Sequence, residues 1–282
     1  MLEKVIYENS YGEKLYLGIV EEDSEIQRPE LYVNETDLRD FSWEVNTKNN
    51  QIQYFSREIE EKKLPIMIAA GNDQRGKRLR NLVYEVTEKD VLRQEPGKIW
   101  IGDYYLECYV TKSSKSEYVY TYRYAVIELT ITTNSPYWKK EESYHFQIDS
   151  EVKNEGLDYD YDFMYDYGGD VRTSSSFLNH TIYECDFELT IHGPTKNPMV
   201  LIEGNRYSAD IELQSGQDLV INSKDKTVLL KKNGEYENIF WLRNRDAYIF
   251  EKIDSGVNQV QWTGNFKWDI VLYLERSEPE WI

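Results

Sequence analysis

Cysteine and histidine are scarce. The 282 residues hold 2 Cys and 3 His, at 145, 180 and 192. Two cysteines make neither a disulfide framework nor a four-thiolate zinc site. A mixed His/Cys site needs three or four ligands. Cys185 and His192 fall on opposite faces of one predicted strand, so ordinary packing is expected there. Long apolar runs are missing too. Ile66–Ala70 is the nearest, far below the roughly 18–20 residues that span a bilayer, and no membrane partner is expected. The opening Met-Leu-Glu-Lys-Val-Ile-Tyr-Glu lacks a signal-peptide pattern, so a soluble protein is expected. Positive charge is in short supply. Lys+Arg is 33 against 51 Asp+Glu, a net charge of −18. So acidic a surface repels phosphates, which argues against nucleic acid as a specific partner. Neither Gly-x-Ser-x-Gly nor a Gly-rich phosphate loop occurs. A glycosidase needs only two carboxylates, and among 51 acids any pair is uninformative. No cofactor and no enzymatic activity are expected.

What the chain has is aromatic mass: 24 Tyr, 7 Trp and 9 Phe, within 40 % apolar residues. That is enough for a core, and aromatics favour half-buried pleated surfaces, so strands should dominate. Aromatics also enrich interfaces, because they bury much area with few rotatable bonds. A β-sandwich with aromatic core layers and large subunit contacts are compatible readings.

Leu15–Val20 and Ile66–Ala70 read as strands. Leu79, Leu82, Val83 and Val86 recur at helical spacing and predict one helix over about 77–92. Ile99–Val110 and Glu117–Thr132 read as two strands around the polar turn Thr111–Ser116. On the second, Tyr118, Tyr120, Tyr122 and Tyr124 share one face. Asn134-Ser-Pro136 breaks the pattern and suggests a boundary between domains 1–136 and 137–282. Residues 1–136 carry 18 basic and 24 acidic residues, net −6; residues 137–282 carry 15 and 27, net −12. Beyond the boundary the strands are short and regularly spaced, as in a sandwich or jelly roll. Hairpins are expected across Gly204-Asn205, Asn233-Gly234 and Thr263-Gly264-Asn265.

Two clusters carry candidate chemistry. Along Asp158–Asp170, the carboxylates of Asp158, Asp160 and Asp162 would line one face of an extended chain and suit a hard cation such as calcium. The EF-hand pattern fails, with Phe163 at its sixth position and Gly169 at its twelfth. A solvated loop whose Tyr159 and Tyr161 pack on the sandwich or on a neighbour is the plainer reading. Arg75, Lys77, Arg78 and Arg80 form a basic cluster in an acidic chain. Their place at a helix N-terminus opposes the helix dipole, which points to an acidic partner surface. A sugar-binding module is the alternative function, with Trp138, Trp241, Trp262 and Trp268 as stacking candidates for host surface glycans. The strand alternation around Trp241, Trp262 and Trp268 argues for core instead.

Several segments, taken in order, carry a resemblance. They are Pro96–Tyr105 after the basic helix start, Phe187–Pro198, Ile202–Tyr207, Asp225–Gly234, Tyr248–Ile253, Gly256–Asn258 and Glu275–Trp281. Together they resemble the distal tail proteins of long-tailed (siphovirus) phages of Gram-positive bacteria, phage or prophage encoded. The resemblance implies a mainly β chain: an N-terminal ring-forming β-rich domain with one helix and a β-hairpin, then a C-terminal galectin-like β-sandwich (jelly roll). It implies a homo-hexameric ring at the virion tail tip, assembled in the host bacterial cytoplasm. The ring would join the major tail tube protein to the tail-associated spike or lysin protein, with receptor-binding and baseplate proteins attached. A net charge of −18 per copy suits a channel that lets DNA pass without holding it.

Overall fold

The computed structural model describes residues 4–18, 30–33, 35–117, 123–148 and 173–281. It divides into two compact units, one of Met1–Lys140 with Glu275–Ile282, the other of Glu141–Leu274.

The first unit is built from β1 (Val5–Glu8), β2 (Lys14–Leu17), β3 (Leu31–Val33), β4 (Glu44–Lys48), β5 (Gln51–Ser56), β6 (Glu60–Ala69), α1 (Asp73–Arg93), β7 (Gly97–Ile101), β8 (Tyr104–Glu117), β9 (Tyr124–Thr133) and the start of β10 (Trp138–Phe146). The pairing runs antiparallel through β2-β1-β7-β8 and through β3-β6-β9-β8. β8 therefore serves two sheets: Tyr104–Cys108 pair with β7, and Tyr109 onward with β9. Register shifts near Val110 and Lys115 let it bend. β9 alternates as a half-buried strand must, with Ala125, Ile127, Leu129 and Ile131 in the core.

The helix is longer than its apolar period predicts. Asn72 caps it, accepting the Arg75 N–H, and Gln94 ends it in the left-handed region. Its buried stripe is Leu79, Val83, Val86 and Asp90, while Leu82 turns outward. Asp90 is wholly buried. It accepts from the Tyr7 hydroxyl and, at 2.7 Å, from the Ser10 N–H. Gly97 permits that approach: a Cβ there would come within 2.4 Å of the Asp90 carboxylate.

Three expectations for this unit are corrected. Ile99–Val110 is not one strand; Gly102, at φ +57°, turns the chain between β7 and β8. Thr111–Ser116 is not a turn but part of β8, and its backbone is satisfied by pairing with β9 while Thr111–Ser113 face solvent. The strand expected over Glu117–Thr132 begins, among the described residues, at Tyr124.

The second unit comprises the rest of β10, β11 (Thr173–Asn179), β12 (Asp186–His192), β13 (Thr195–Lys196), β14 (Met199–Ile202), β15 (Asn205–Ser208), β16 (Glu212–Leu213), β17 (Gln217–Asn222), β18 (Thr227–Lys232), β19 (Glu235–Asn238), β20 (Gly256–Trp262) and β21 (Trp268–Arg276). One sheet runs β19-β18-β17-β12-β21-β10 and another β11-β20-β14-β15. Their inner faces meet in an aromatic core. Phe146 stacks on Trp268 at 4.0 Å, and Trp262 meets Trp268 edge-on at 5.8 Å. Phe187 meets Tyr207 at 5.2 Å. The Asn233-Gly234 hairpin joins β18 to β19 as expected, and the turn before β15 sits one residue early, at Glu203-Gly204. Thr263–Asn265 is no hairpin. β20 and β21 lie in different sheets, so this turn arches across the core and leaves Trp262 and Trp268 both pointing inward. The described residues are thus mainly β with one long helix, and form a β-rich unit and a β-sandwich.

Candidate functional site

The second unit buries part of its large aromatics. Trp262 and Trp268 are core, and in the first unit so is Trp138. None of the three can stack on a sugar. Trp241 reverses its expectation: it lies in the short 3-10 turn Phe240–Leu242, 60 % exposed, because no strand continues there.

Other candidates are placed as follows. Arg75 pairs with Glu30 at 2.7 Å, and Arg80 donates to the Tyr124 carbonyl at 3.3 Å. Lys77 is also engaged, so three of the four cluster cations have local partners. Arg78 and Tyr124 are exposed. Tyr118, Tyr120, Tyr122, Asp158, Tyr159, Asp160, Tyr161 and Asp162 lie outside the described residues. Among the described residues no cluster of three or more His, Cys, Asp or Glu is arranged to hold a metal. Burial pushes the thiol of Cys185 up to about 12, and pushes Cys108 up as well, so neither is a nucleophile near neutral pH.

The outer face of the larger sheet carries one charged row. His192 Nδ1 lies 2.8 Å from Asp218, its Nε2 lies 3.0 Å from Asp269, and His145 Nδ1 lies 2.8 Å from the other Asp269 oxygen. Carboxylates only accept, so His192 must hold both protons to satisfy both. Burial alone would lower its pKa, but the bonds to Asp269 and Asp218 outweigh that and raise it.

The largest unpartnered feature is a hairpin that residue-by-residue reading of the sequence missed. β4 and β5 pair with each other and with no other strand among the described residues. Asn49 and Asn50, at φ +52° and +60°, form the turn, and two successive left-handed residues match the twist of the flanking strands. Adjacent asparagines between Val45 and Ile52 were the available signal. Val45 pairs with Phe55 and Thr47 with Ile52, with a register shift between the pairs. Cross-strand partners share a face, so Val45, Thr47, Ile52 and Phe55 lie together. Val45, Ile52 and Phe55 are 51 %, 59 % and 55 % exposed. An isolated two-stranded hairpin is marginal in water, and a contiguous exposed apolar face marks a contact site.

Comparison with known proteins yields a likeness of fold. No protein-family profile and no curated protein matches the chain. Solved structures do. The fold is similar to that of the Dit protein of phage SPP1, described as a paradigm of the hub adsorption apparatus in phages infecting Gram-positive bacteria. The TM-score is 0.62 at 9 % identity, over 98 % of this chain and 100 % of that one. It is also similar to a chain of the phage P2 baseplate in its activated conformation with Ca, with a TM-score of 0.58, 12 % identity and 99 % and 100 % coverage. The same baseplate with Sr gives 0.57, 13 %, 99 % and 100 %.

Proposed function

We propose that this chain is a structural hub at the tip of a phage tail. Six copies close head-to-tail into a ring that joins the tail tube on one side to the spike or lysin and the adhesion parts on the other. The ring assembles in the host cytoplasm and is carried on the virion. It performs no chemistry of its own. The unit Met1–Lys140 with Glu275–Ile282 builds the ring, and the sandwich faces the adhesion parts.

The β4–β5 hairpin carries this reading. Its apolar face needs an occupant, and a second copy fits. Residues 44–56 hold one base, Lys48, and one acid, Glu44, net 0, in a chain of net −18. The hairpin is thus a locally non-acidic arm offered to an acidic neighbour. A head-to-tail contact that closes by rotation gives a ring of finite size. The full-length fold similarity to a phage hub protein and to a phage baseplate chain supports the same assignment.

Light scattering over a range of concentrations, with negative-stain images of the same sample, tests it. A six-subunit species with a central hole is expected. A chain that stays monomeric at every concentration, with and without tail-tube protein, rejects it. Specific, saturable glycan binding by that monomer, lost in Trp241→Ala, would install the sugar-binding reading instead.

A further inference from the structure

The foot of the hairpin contains a caged cation. Arg57 follows β5 directly, and its side chain is fully enclosed. Its Nε donates to Glu60 Oε1 at 3.1 Å, and its Nη2 donates to Oε1 at 2.9 Å and to Oε2 at 3.0 Å. The guanidinium lies 5.0 Å from the Tyr137 ring, 5.6 Å from Phe41 and 5.8 Å from Trp43. Trp43 and Tyr137 touch each other at 6.3 Å. Nη1 is buried and has no hydrogen-bond acceptor among the described residues. A second cation closes the foot. The nearly buried Lys62 donates to the carbonyls of Asp40 and Asp37 and pairs with Glu60 at 3.4 Å.

These contacts join the chain running into β4 (Phe41, Trp43), the chain leaving β5 (Arg57), the start of β6 (Glu60) and the residue before β10 (Tyr137). A guanidinium out of water is costly unless its geometry is fully used. A planar fork on a carboxylate, close to three rings, uses part of that geometry, and a lysine cannot form the fork. Beyond the foot, β4 and β5 have only each other as strand partners.

We propose that Arg57 is the positioning residue of the hairpin: its cage with Glu60, Phe41, Trp43 and Tyr137 fixes the direction in which the arm leaves the unit, so that the apolar face meets the next copy already ordered. This rests on the hairpin being the contact between copies. A preordered arm loses little freedom on binding, which strengthens association without adding a contact.

The test uses the full chain with two readouts: hydrogen exchange of the amides of residues 44–56, and self-association by sedimentation. Ile52→Asp alters the face and leaves the foot intact. It should abolish association and provide a monomeric background. Arg57→Lys in that background should raise hairpin exchange at least tenfold while the chain keeps its cooperative thermal unfolding. Arg57→Lys alone should weaken association at least tenfold. If Arg57→Lys unfolds the first unit, Tyr137→Leu removes one wall of the cage and keeps the ion pair; the same faster exchange and weaker association are expected. Association undiminished in Ile52→Asp would overturn the contact reading itself. Association lost in Ile52→Asp but unchanged in Arg57→Lys would overturn the role of Arg57 and leave the contact standing. Weaker association with unchanged hairpin exchange would also overturn it, since Arg57 would then act elsewhere.

Discussion

The two units spend their aromatics differently. The sandwich turns Phe146, Phe177, Phe187, Tyr207, Trp262 and Trp268 inward, where ring meets ring at 4.0–6.3 Å. The first unit fills its core mostly with aliphatics from β1, β6, β7, β9 and α1, beside Tyr7, Tyr104 and Trp138, and leaves Phe41, Trp43, Tyr54, Phe55 and Tyr124 substantially exposed. Both units also leave rings at the surface, Tyr236, Trp241 and Tyr248 in the sandwich among them, but the first unit gathers several around a hairpin that has no further strand partner among the described residues. The same residue type therefore means core at one position and surface at another, and composition alone cannot separate the two.

Substitutions can break that comparison. Trp268→Ala should cost about 3–5 kcal/mol of sandwich stability, as for other fully buried large rings, read from the denaturant midpoint; a small loss would mean the aromatic core is not what holds the sandwich. Val45→Asp on the hairpin should shift the monomer's melting by less than about 1 kcal/mol, as surface changes do, yet abolish self-association. A comparable loss of monomer stability would show that the hairpin face is core after all. Arg39→Ala should cost about 1–2 kcal/mol, in line with charged hydrogen bonds. Arg39 donates to the Pro279 carbonyl at 2.7 Å, pairs with Glu278 at 3.5 Å and lies 3.9 Å over the Trp281 ring. Proteolysis should then attack residues 275–281 first.

A smaller effect concerns pH. His192 has a raised pKa in the folded chain. Its charged bonds therefore add stability that is fully present below about 6.5, the ordinary histidine value, and is lost as pH rises through the folded pKa. The urea midpoint of the sandwich should fall between pH 6 and 9 more in the parent chain than in His192→Gln. Equal slopes would mean that His192 carries no linked proton. Asn50→Gly should have the least effect. It eases the left-handed turn, and by about 0.5 kcal/mol or less should slow amide exchange in the hairpin.

How much of this was legible varies by region. In the sandwich, alternation through Phe266–Leu274 and the Asn233-Gly234 dipeptide located strands and a turn, because local pattern and global fold agree there. The arch at Thr263–Asn265 was not legible: a turn looks the same whether it joins neighbours in one sheet or crosses to another. In α1, the spacing of Leu79, Val83 and Val86 marked the helix. Its first turn was hidden, because Asp73–Gly76 is polar or small and only Asn72 announces the start. The hairpin was missed because its apolar residues face outward and a register shift blurs the period of two. The cage around Arg57 joins residues from 41 to 137, a long-range arrangement that no local window contains.

Residues Glu275–Ile282 belong to the first unit, although the whole of Glu141–Leu274 lies between them and Lys140. That ordering has a consequence for synthesis. The ribosome releases every residue of the sandwich before the segment that Arg39 clasps. The sandwich, encoded second, can finish folding first. The first unit is completed only after residues 275–281 have emerged, so a chain cut short within the sandwich lacks the segment that Arg39 holds.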